Sequence, residues 1–231
     1  MISVPILMYH YVRINPAPHD KLGADLSVSP QVFAAQMDWL GSNGYHPVDF
    51  DDLRAYYTGG ATLPSRPVIL TFDDGYKDLY AEAFPILRAR GFKAVAYIVS
   101  GFLNSKQNVS DAQVVEMSHN GIQIAAHTFS HKDLTAIDAA TMEFELRSSR
   151  HYLEALLGHP VLDFAYPSGR FNPAVTAAVE RAGFATATTT QGGLTHSWSD
   201  HLLWTRVRIR GGDSLDHFIA ALGTPESAVQ Q

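Results

Sequence analysis

Two adjacent carboxylates, Asp73 and Asp74, end the apolar segment "VILTF" and are followed at once by Gly75. Two like charges at the end of a buried strand are unfavourable unless a positive charge lies beside them. In isolation, an Asp-Asp-Gly sequence is most often a turn. A divalent metal ion would offset the repulsion, with one aspartate as its ligand and the other as a general base on a water molecule. The pair therefore favours a metal-dependent hydrolytic site.

Two histidines, His127 and His131, follow a second apolar segment, "IQIAA". Residues four apart share one face of a helix or helical turn. An isolated pair with this spacing is most often two surface histidines, but this one directly follows a predicted buried strand. Because the chain has no cysteine, a metal ion must be bound by His, Asp or Glu. We predict a three-ligand site of one of the two aspartates with His127 and His131, open to water and substrate.

About eight strand-like segments alternate with helix-like segments along the chain. This order predicts parallel strands joined by crossover helices. No glycine-rich phosphate-binding motif follows a strand, which weakens a nucleotide-binding interpretation. The expected fold class is α/β, a distorted TIM-like (β/α) barrel of seven to eight strands in a single domain over residues 1–231. In such a barrel, chemistry takes place at the carboxyl ends of the strands, where the carboxylates and histidines are predicted to meet.

The composition is that of a globular protein, with 46% hydrophobic and 17% charged residues. The net charge of -6 and the lack of a basic run argue against nucleic acid and anionic membranes as partners. The segment "MISVPILMYHYV" is too short and lacks the basic start of a signal peptide, so we interpret it as a core strand. No apolar run is long enough for a transmembrane helix. We expect a cytoplasmic location, or an extracytoplasmic one if a targeting segment has been removed.

Three motifs, "TFDDGY", "HTFSH" and "FAYPSGRFN", resemble the first three motifs of the NodB-like polysaccharide deacetylases, carbohydrate esterase family 4. The resemblance extends over about residues 4–210. It implies a distorted barrel, often of seven strands, that removes acetyl groups from N-acetylated sugars with a divalent metal ion, usually zinc. By this resemblance Asp73 is the general base, and Asp74, His127 and His131 are the metal ligands.

The turn of the third motif, Pro167 and Ser168, matches the family's oxyanion turn, in which the Ser168 N–H would help hold the oxyanion. Ser168 replaces the usual tyrosine, so a side-chain wall of the sugar site would be lost. Tyr166 is a candidate sugar contact, although aromatic side chains are more often packing groups.

The arginine that usually begins the third motif and orients the base is absent, and Phe164 stands in its place. The segment "LLWTRVRIR" offers Arg206, Arg208 and Arg210, which share one face of a strand at period two. We expect Arg206 to be the partner of Asp73. The alternative is that all three arginines are solvated edge charges.

The family's general acid is a histidine in a carboxyl-terminal L-x-H motif. The literal match ends at His217, in a segment that is predicted to be a helix, and we interpret it as a coincidence. The opening "PILMYH" resembles a subgroup that includes poly-N-acetylglucosamine deacetylases, in which this element lies at the amino terminus. His10 would then be the acid that protonates the leaving amine; the alternative is a packed core histidine.

The sequence therefore predicts a metal-dependent hydrolase, with zinc as the expected divalent ion, that removes N-acetyl groups from amino sugars in a polysaccharide or oligosaccharide. One alternative is an amide hydrolase of the same fold that acts on a small molecule, such as a cyclic ureide or a formylated amino sugar. A second alternative is a non-catalytic carbohydrate-binding protein.

Overall fold

The computed structural model describes residues 1–17 and 19–223. One parallel sheet forms its centre, and its strands are β1 (Ile6–Tyr9), β2 (His46–Pro47), β3 (Pro67–Phe72), β4 (Ala94–Ile98), β5 (Ile122–Ala126), β6 (Asp163–Ala165), β7 (Thr186–Thr188) and β8 (Val207–Arg208). The predicted single domain over 1–231 extends past the described residues, because 224–231 lie outside them.

The strand order is β7-β6-β5-β4-β3-β1-β8, and β2 pairs with the first residues of β3. Every pair in this sheet is parallel. The segment before β8 bends back to β7. Trp204 forms an isolated parallel β-bridge with Thr188, and the Trp204 carbonyl accepts a hydrogen bond from the Thr189 N–H at 2.9 Å. The predicted α/β class with a barrel-like sheet is therefore confirmed, with irregular contacts where the sheet curls round.

Helices cover the sheet: α1 (Lys21–Leu26), α2 (Pro30–Ser42), α3 (Phe50–Tyr57), α4 (Phe84–Arg88), α5 (Asp111–Ser118), α6 (Ala139–Leu157), α7 (Pro173–Arg181) and α8 (Leu215–Ala221). Polar side chains begin most of them: for example, Ser29 starts α2 and Asp138 starts α6 by accepting a hydrogen bond from a backbone N–H of the first turn. Among the described residues, we find no helix with the length and apolar character that crossing a membrane requires.

Side chains of the central strands alternate between the inside of the barrel and the surrounding helices. In β3, Ile69 packs with Trp204 in the inner cluster, whereas Leu70 packs in the larger cluster beneath the helices. Thr71 and Asp73 continue the inward row of Ile69. The strand geometry thus directs Asp73 to the barrel interior and leaves Asp74 at its rim.

Candidate metal-dependent active site

A tight turn at the carboxyl end of β3 separates the two aspartates. Asp74 has a φ of 71° and Gly75 a φ of 66°, so the chain reverses directly after the strand. The left-handed conformation is unfavourable for a residue other than glycine and is concentrated at functional sites in proteins. A Cβ on Gly75 would lie 2.9 Å from Ile98 Cδ1, so glycine also permits close packing on β4. The turn exposes part of the Asp74 side chain while Asp73 stays buried.

The three predicted metal ligands meet at this rim. Asp74 Oδ1 lies 3.3 Å from His131 Nε2 and 3.6 Å from His127 Nε2. One donor atom from each residue fits within 4.8 Å of the others, which is a separation that a single ion can bridge. Two imidazoles and a carboxylate leave coordination positions free for water and substrate, as in catalytic zinc sites.

The ring of His127 is oriented for metal binding by its second nitrogen. Its Nδ1 lies 2.7 Å from the Ala165 carbonyl oxygen, so Nδ1 carries the proton and donates, and Nε2 presents its lone pair to the site. Burial lowers the pKa of His127, which keeps the ring neutral, as a ligand must be. These residues fit a divalent metal ion in both geometry and donor chemistry.

The segment from His127 to His131 is a loop, which corrects the predicted helical turn. Thr128 and His131 have positive φ values of 64° and 58°, and the His131 N–H donates to Thr128 Oγ1 at 2.9 Å. The two rings still come within 4.8 Å of each other between centroids. The spacing of four therefore brings the histidines together through a strained turn instead of a helix face.

A buried carboxylate that the sequence analysis missed holds this loop. Glu145 of α6 is 1% exposed, and it accepts hydrogen bonds from both the N–H and the hydroxyl of Ser130. Its backbone carbonyl also accepts the Phe129 N–H. The sequence carries no local signal of this contact, because Glu145 lies 14 positions after His131 and on a separate helix.

Asp73 forms a buried, two-bond ion pair with Arg206. Arg206 Nη1 donates to Asp73 Oδ1 at 2.6 Å and Nη2 donates to Oδ2 at 2.8 Å. Burial alone would raise the pKa of Asp73, but the Arg206 guanidinium holds it well below the usual range. Arg206 is fixed in turn, because its Nε donates to the Thr189 carbonyl at 2.8 Å and Nη1 to Thr71 Oγ1 at 3.1 Å.

The three arginines of the last strand segment have different environments. Arg206 is 1% exposed and lies against Asp73. Arg210 is exposed and pairs with Asp25 at 2.6 Å. Regular strand geometry is limited to Val207–Arg208, so the three side chains do not form the predicted row along one strand face.

His10 follows β1 and faces Asp73. Its Nε2 lies 3.9 Å from Asp73 Oδ2. Burial lowers the pKa of His10 to about 4, although the Asp73 carboxylate acts in the opposite direction. The ring is therefore neutral near pH 7. His217, by contrast, is an exposed residue of α8 whose Nδ1 lies 2.9 Å from Asp213.

The third-motif turn follows β6. Ser168 is exposed and has a φ of 54°, after the buried Pro167. Tyr166 is fully buried, its ring packs edge-on against Phe164, and its hydroxyl donates to the Leu202 carbonyl at 3.1 Å. The Tyr166 side chain therefore has no surface for a sugar, because its position in the strand turns it toward the helices.

Comparisons with known proteins agree with this arrangement. The family profile described as polysaccharide deacetylase matches residues 60–187, more than half of the chain. The Streptococcus pyogenes deacetylase PplD, solved in complex with acetate, superposes with a TM-score of 0.90 and 28% identity, over 96% of this chain and 99% of that chain. A polysaccharide deacetylase from Bacillus cereus gives a TM-score of 0.84 and 29% identity, over 96% and 69% respectively.

A curated relative is more distant in sequence. The poly-beta-1,6-N-acetyl-D-glucosamine N-deacetylase of Staphylococcus aureus is 27% identical over 173 residues, which are 68% of this chain and 59% of that protein. The profile match includes the Asp73–Asp74 turn, both histidines and the third-motif turn. The chain therefore belongs to the polysaccharide deacetylase family.

Proposed function

We propose that this protein hydrolyses the N-acetyl groups of amino sugars in a polysaccharide or oligosaccharide. The observation that carries the proposal is the pairing of two sites at one rim: the cluster of Asp74, His127 and His131, and the buried Asp73–Arg206 pair beside it. One can hold a divalent ion and the other can accept a proton. Metal-dependent amide hydrolysis uses both functions in adjacent positions.

Asp74, His127 and His131 would hold the metal ion, and their donor set of two imidazoles and one carboxylate suits zinc. When bound, the ion would lower the pKa of a water molecule and polarise the acetyl carbonyl. The Nδ1–H of His127 stays on the Ala165 carbonyl, which keeps Nε2 directed to the site.

Asp73 accepts the proton of the attacking water, and Arg206 holds its carboxylate in place. Arg206 uses one lone pair of each Asp73 carboxylate oxygen, and the other lone pairs can accept a hydrogen bond from water. Because Arg206 lowers the pKa of Asp73, the aspartate retains the proton poorly. His10, neutral and 3.9 Å from Asp73, takes up that proton and delivers it to the leaving nitrogen. The C–N bond then breaks, and acetate and a free amine are released.

The Ser168 N–H, in the turn after β6, is the proposed donor to the oxyanion that forms on the acetyl carbonyl. A backbone donor does not depend on the side chain, so the serine in place of the family's tyrosine is compatible with activity. The exposed Ser168 side chain leaves a more open wall on this side of the site.

Polymeric or oligomeric substrate is favoured over a small amide because the relatives with high structural similarity are named as deacetylases, and the Staphylococcus aureus relative is named for poly-beta-1,6-N-acetyl-D-glucosamine. The small-amide hydrolase and the non-catalytic binding protein are the alternatives. The complete set of Asp73, Asp74, His127 and His131 argues against the second.

The test measures acetate release from N-acetylglucosamine oligomers and hydrolysis of a panel of small amides, with the zinc-loaded and the chelator-treated protein. We expect acetate from the oligomers, loss of release after chelation, and recovery on adding zinc. Turnover of the small amides alone would favour the first alternative. Tight oligomer binding with no hydrolysis by the zinc-loaded protein would favour the second.

A further inference from the structure

A cationic groove lies beside the proposed metal site and has no role in the chemistry described above. It is a cavity of about 420 Å³, lined by Tyr11, Arg13, Pro16, Tyr76, Lys77, Asp78, Lys106 and Gln107. The volume falls within the range of small-ligand sites. Three of its eight lining residues are cations, in a chain whose net charge is -6.

The groove is physically joined to the metal site through Tyr76. The Tyr76 hydroxyl lies beside the Asp74 carboxylate, and Tyr76 also lines the groove. The Asn108 amide donates to the Asp74 carbonyl at 2.9 Å, and the Lys77 N–H donates to the Gln107 carbonyl at 2.9 Å. A ligand that fills the groove would therefore reach the turn that presents Asp74.

The cations of the groove are unpaired. Ten of the 17 Lys and Arg residues form ion pairs within 4 Å, but among the described residues Arg13, Lys77 and Lys106 have no such partner. The single acid of the groove, Asp78, accepts a hydrogen bond from the Val12 N–H, so it stabilises the backbone of the groove and, within the described part of the chain, does not pair with a cation. A cleft lined mostly by one sign of charge raises the local concentration of ligands of the opposite sign.

The aromatic lining provides a flat apolar surface next to these charges. Tyr11 and Tyr76 stack with their ring centroids 4.1 Å apart, and the guanidinium carbon of Arg13 lies 3.4 Å from the Tyr11 centroid. Stacking holds Arg13 in place, and its only hydrogen bond among the described residues is a long one from Nε to Ser27 Oγ at 3.4 Å. The edge of the guanidinium that binds carboxylate or phosphate is therefore available.

We infer that this groove is a subsite for an anionic sugar, one that bears a carboxylate or a phosphate and neighbours the N-acetyl sugar whose acetyl group is removed. The ring face of Tyr76 that is not stacked on Tyr11 accommodates the sugar face, and Arg13, Lys77 and Lys106 bind the anionic substituent. This inference rests on the proposed deacetylase function and narrows its substrate class to acidic glycans. Carboxylate and phosphate share the same recognition chemistry here, so the test includes both.

The test compares kcat/KM for acetate release from three tetrasaccharides: neutral N-acetylglucosamine tetramer, and tetramers of the same length whose alternate sugars carry a carboxylate or a phosphate. We expect at least one anionic substrate to be preferred about tenfold, mainly through KM, as expected for the loss or gain of one charged hydrogen bond. In the double variant Lys77→Gln with Lys106→Gln, the ratio of anionic to neutral kcat/KM should fall about tenfold. The anionic tetramer with the higher kcat/KM shows whether the groove binds a carboxylate or a phosphate.

A matched control removes the same net charge elsewhere. Lys21 and Arg181 are exposed and do not line the groove, so the double variant Lys21→Gln with Arg181→Gln should keep the parent's substrate ratio. Equal kcat/KM for neutral and anionic tetramers, or an unchanged ratio in the groove variant, would overturn the inference.

Dissociation constants of the same tetramers, measured with the zinc-loaded protein, separate this inference from the proposed function. Tighter binding of an anionic tetramer that depends on Lys77 and Lys106, with no acetate released from any substrate, supports the groove and contradicts the function. Acetate release from all tetramers with equal affinity supports the function and contradicts the groove.

Discussion

At the residue scale, the adjacent aspartates are distinguished by what each one faces. Asp73 follows the inward row of β3 and is neutralised by the buried Arg206. Asp74 turns outward through a left-handed conformation and faces His127 and His131. The repulsion expected from neighbouring carboxylates is thus offset by a guanidinium on one side, and by the proposed cation on the other.

Arg206→Met should therefore damage both stability and catalysis. Removing one member of a buried ion pair leaves the Asp73 charge uncompensated, which costs about 3–5 kcal/mol of unfolding free energy. We expect acetate release to fall at least about 100-fold, since the base loses its position. Urea unfolding and acetate release measure the two effects.

Two further variants control for the arginine charge. Arg206→Lys keeps the charge but not the two-bond geometry, and it should lose less stability than Arg206→Met while activity stays reduced. Arg210→Gln removes the exposed pair with Asp25 and should change stability by less than about 1 kcal/mol. Equal activity in the parent and Arg206→Met would contradict the assigned role of Arg206.

The residues that could be predicted from sequence are those that directly follow strands. Asp73, Asp74 and His127 could be placed together because parallel strands end at one rim. Tyr166 could not be placed from its motif alone, and strand alternation explains why: Ala165 belongs to the inner cluster, so its neighbour Tyr166 faces the helices.

At the element scale, the site depends on a loop that a helix holds in place. The two histidines meet because Thr128 and His131 adopt left-handed conformations. Such conformations persist only when the surroundings fix them. Glu145 of α6 provides the fixing contacts through Ser130. The sequence motifs predicted the two histidines but not the contact from Glu145. Glu145 lies on a helix 14 positions after His131, and nothing in the local sequence indicates that the two segments touch.

Glu145→Gln should weaken metal binding without removing a ligand. The amide can accept only at its oxygen, so one of the two bonds from Ser130 is lost and the loop that carries His131 is less constrained. We expect zinc affinity to fall about 10- to 100-fold, the usual effect of residues that support metal ligands. Competition with a zinc chelator measures the affinity.

Glu143→Gln on the same helix is the matched control. Glu143 is exposed and pairs with Arg147 four residues later, away from the loop. The Glu143→Gln variant should bind zinc with the affinity of the parent. Equal affinities for Glu145→Gln and Glu143→Gln would contradict the supporting role of Glu145.

At the scale of the whole molecule, the two ends of the barrel have different tasks. The carboxyl ends of the strands carry the proposed chemistry, and the amino ends carry stabilising contacts. His196 lies at the amino end, in a short antiparallel pair with Ile2–Ser3. Its Nε2 donates to the Val4 carbonyl at 3.1 Å, and its buried Nδ1 has no partner among the described residues.

Acid should destabilise the protein in part through His196. Burial lowers the pKa of His196 to about 4, below the ordinary value of 6.5. The unfolded chain therefore binds a proton more readily, so this contribution to stability is fully present above about pH 6.5 and is lost as the pH falls toward 4. Its upper limit is about 3 kcal/mol.

The variant His196→Gln should show a shallower fall in unfolding free energy between pH 7 and pH 4 than the parent, measured by urea denaturation of the metal-free protein. His151→Gln, at an exposed position of α6, should keep the parent's slope. A parent-like slope in His196→Gln would contradict the buried, neutral state of this histidine.

The most direct test of the central claim measures acetate release and bound zinc in Asp73→Asn, beside Asp74→Asn. Asp73 is assigned as the base and not as a ligand, so Asp73→Asn should bind zinc like the parent and release acetate about 10²- to 10⁴-fold more slowly. Asp74→Asn should lose zinc affinity as well as activity. If zinc-loaded Asp73→Asn released acetate as fast as the parent, the division of tasks between the two aspartates would be contradicted.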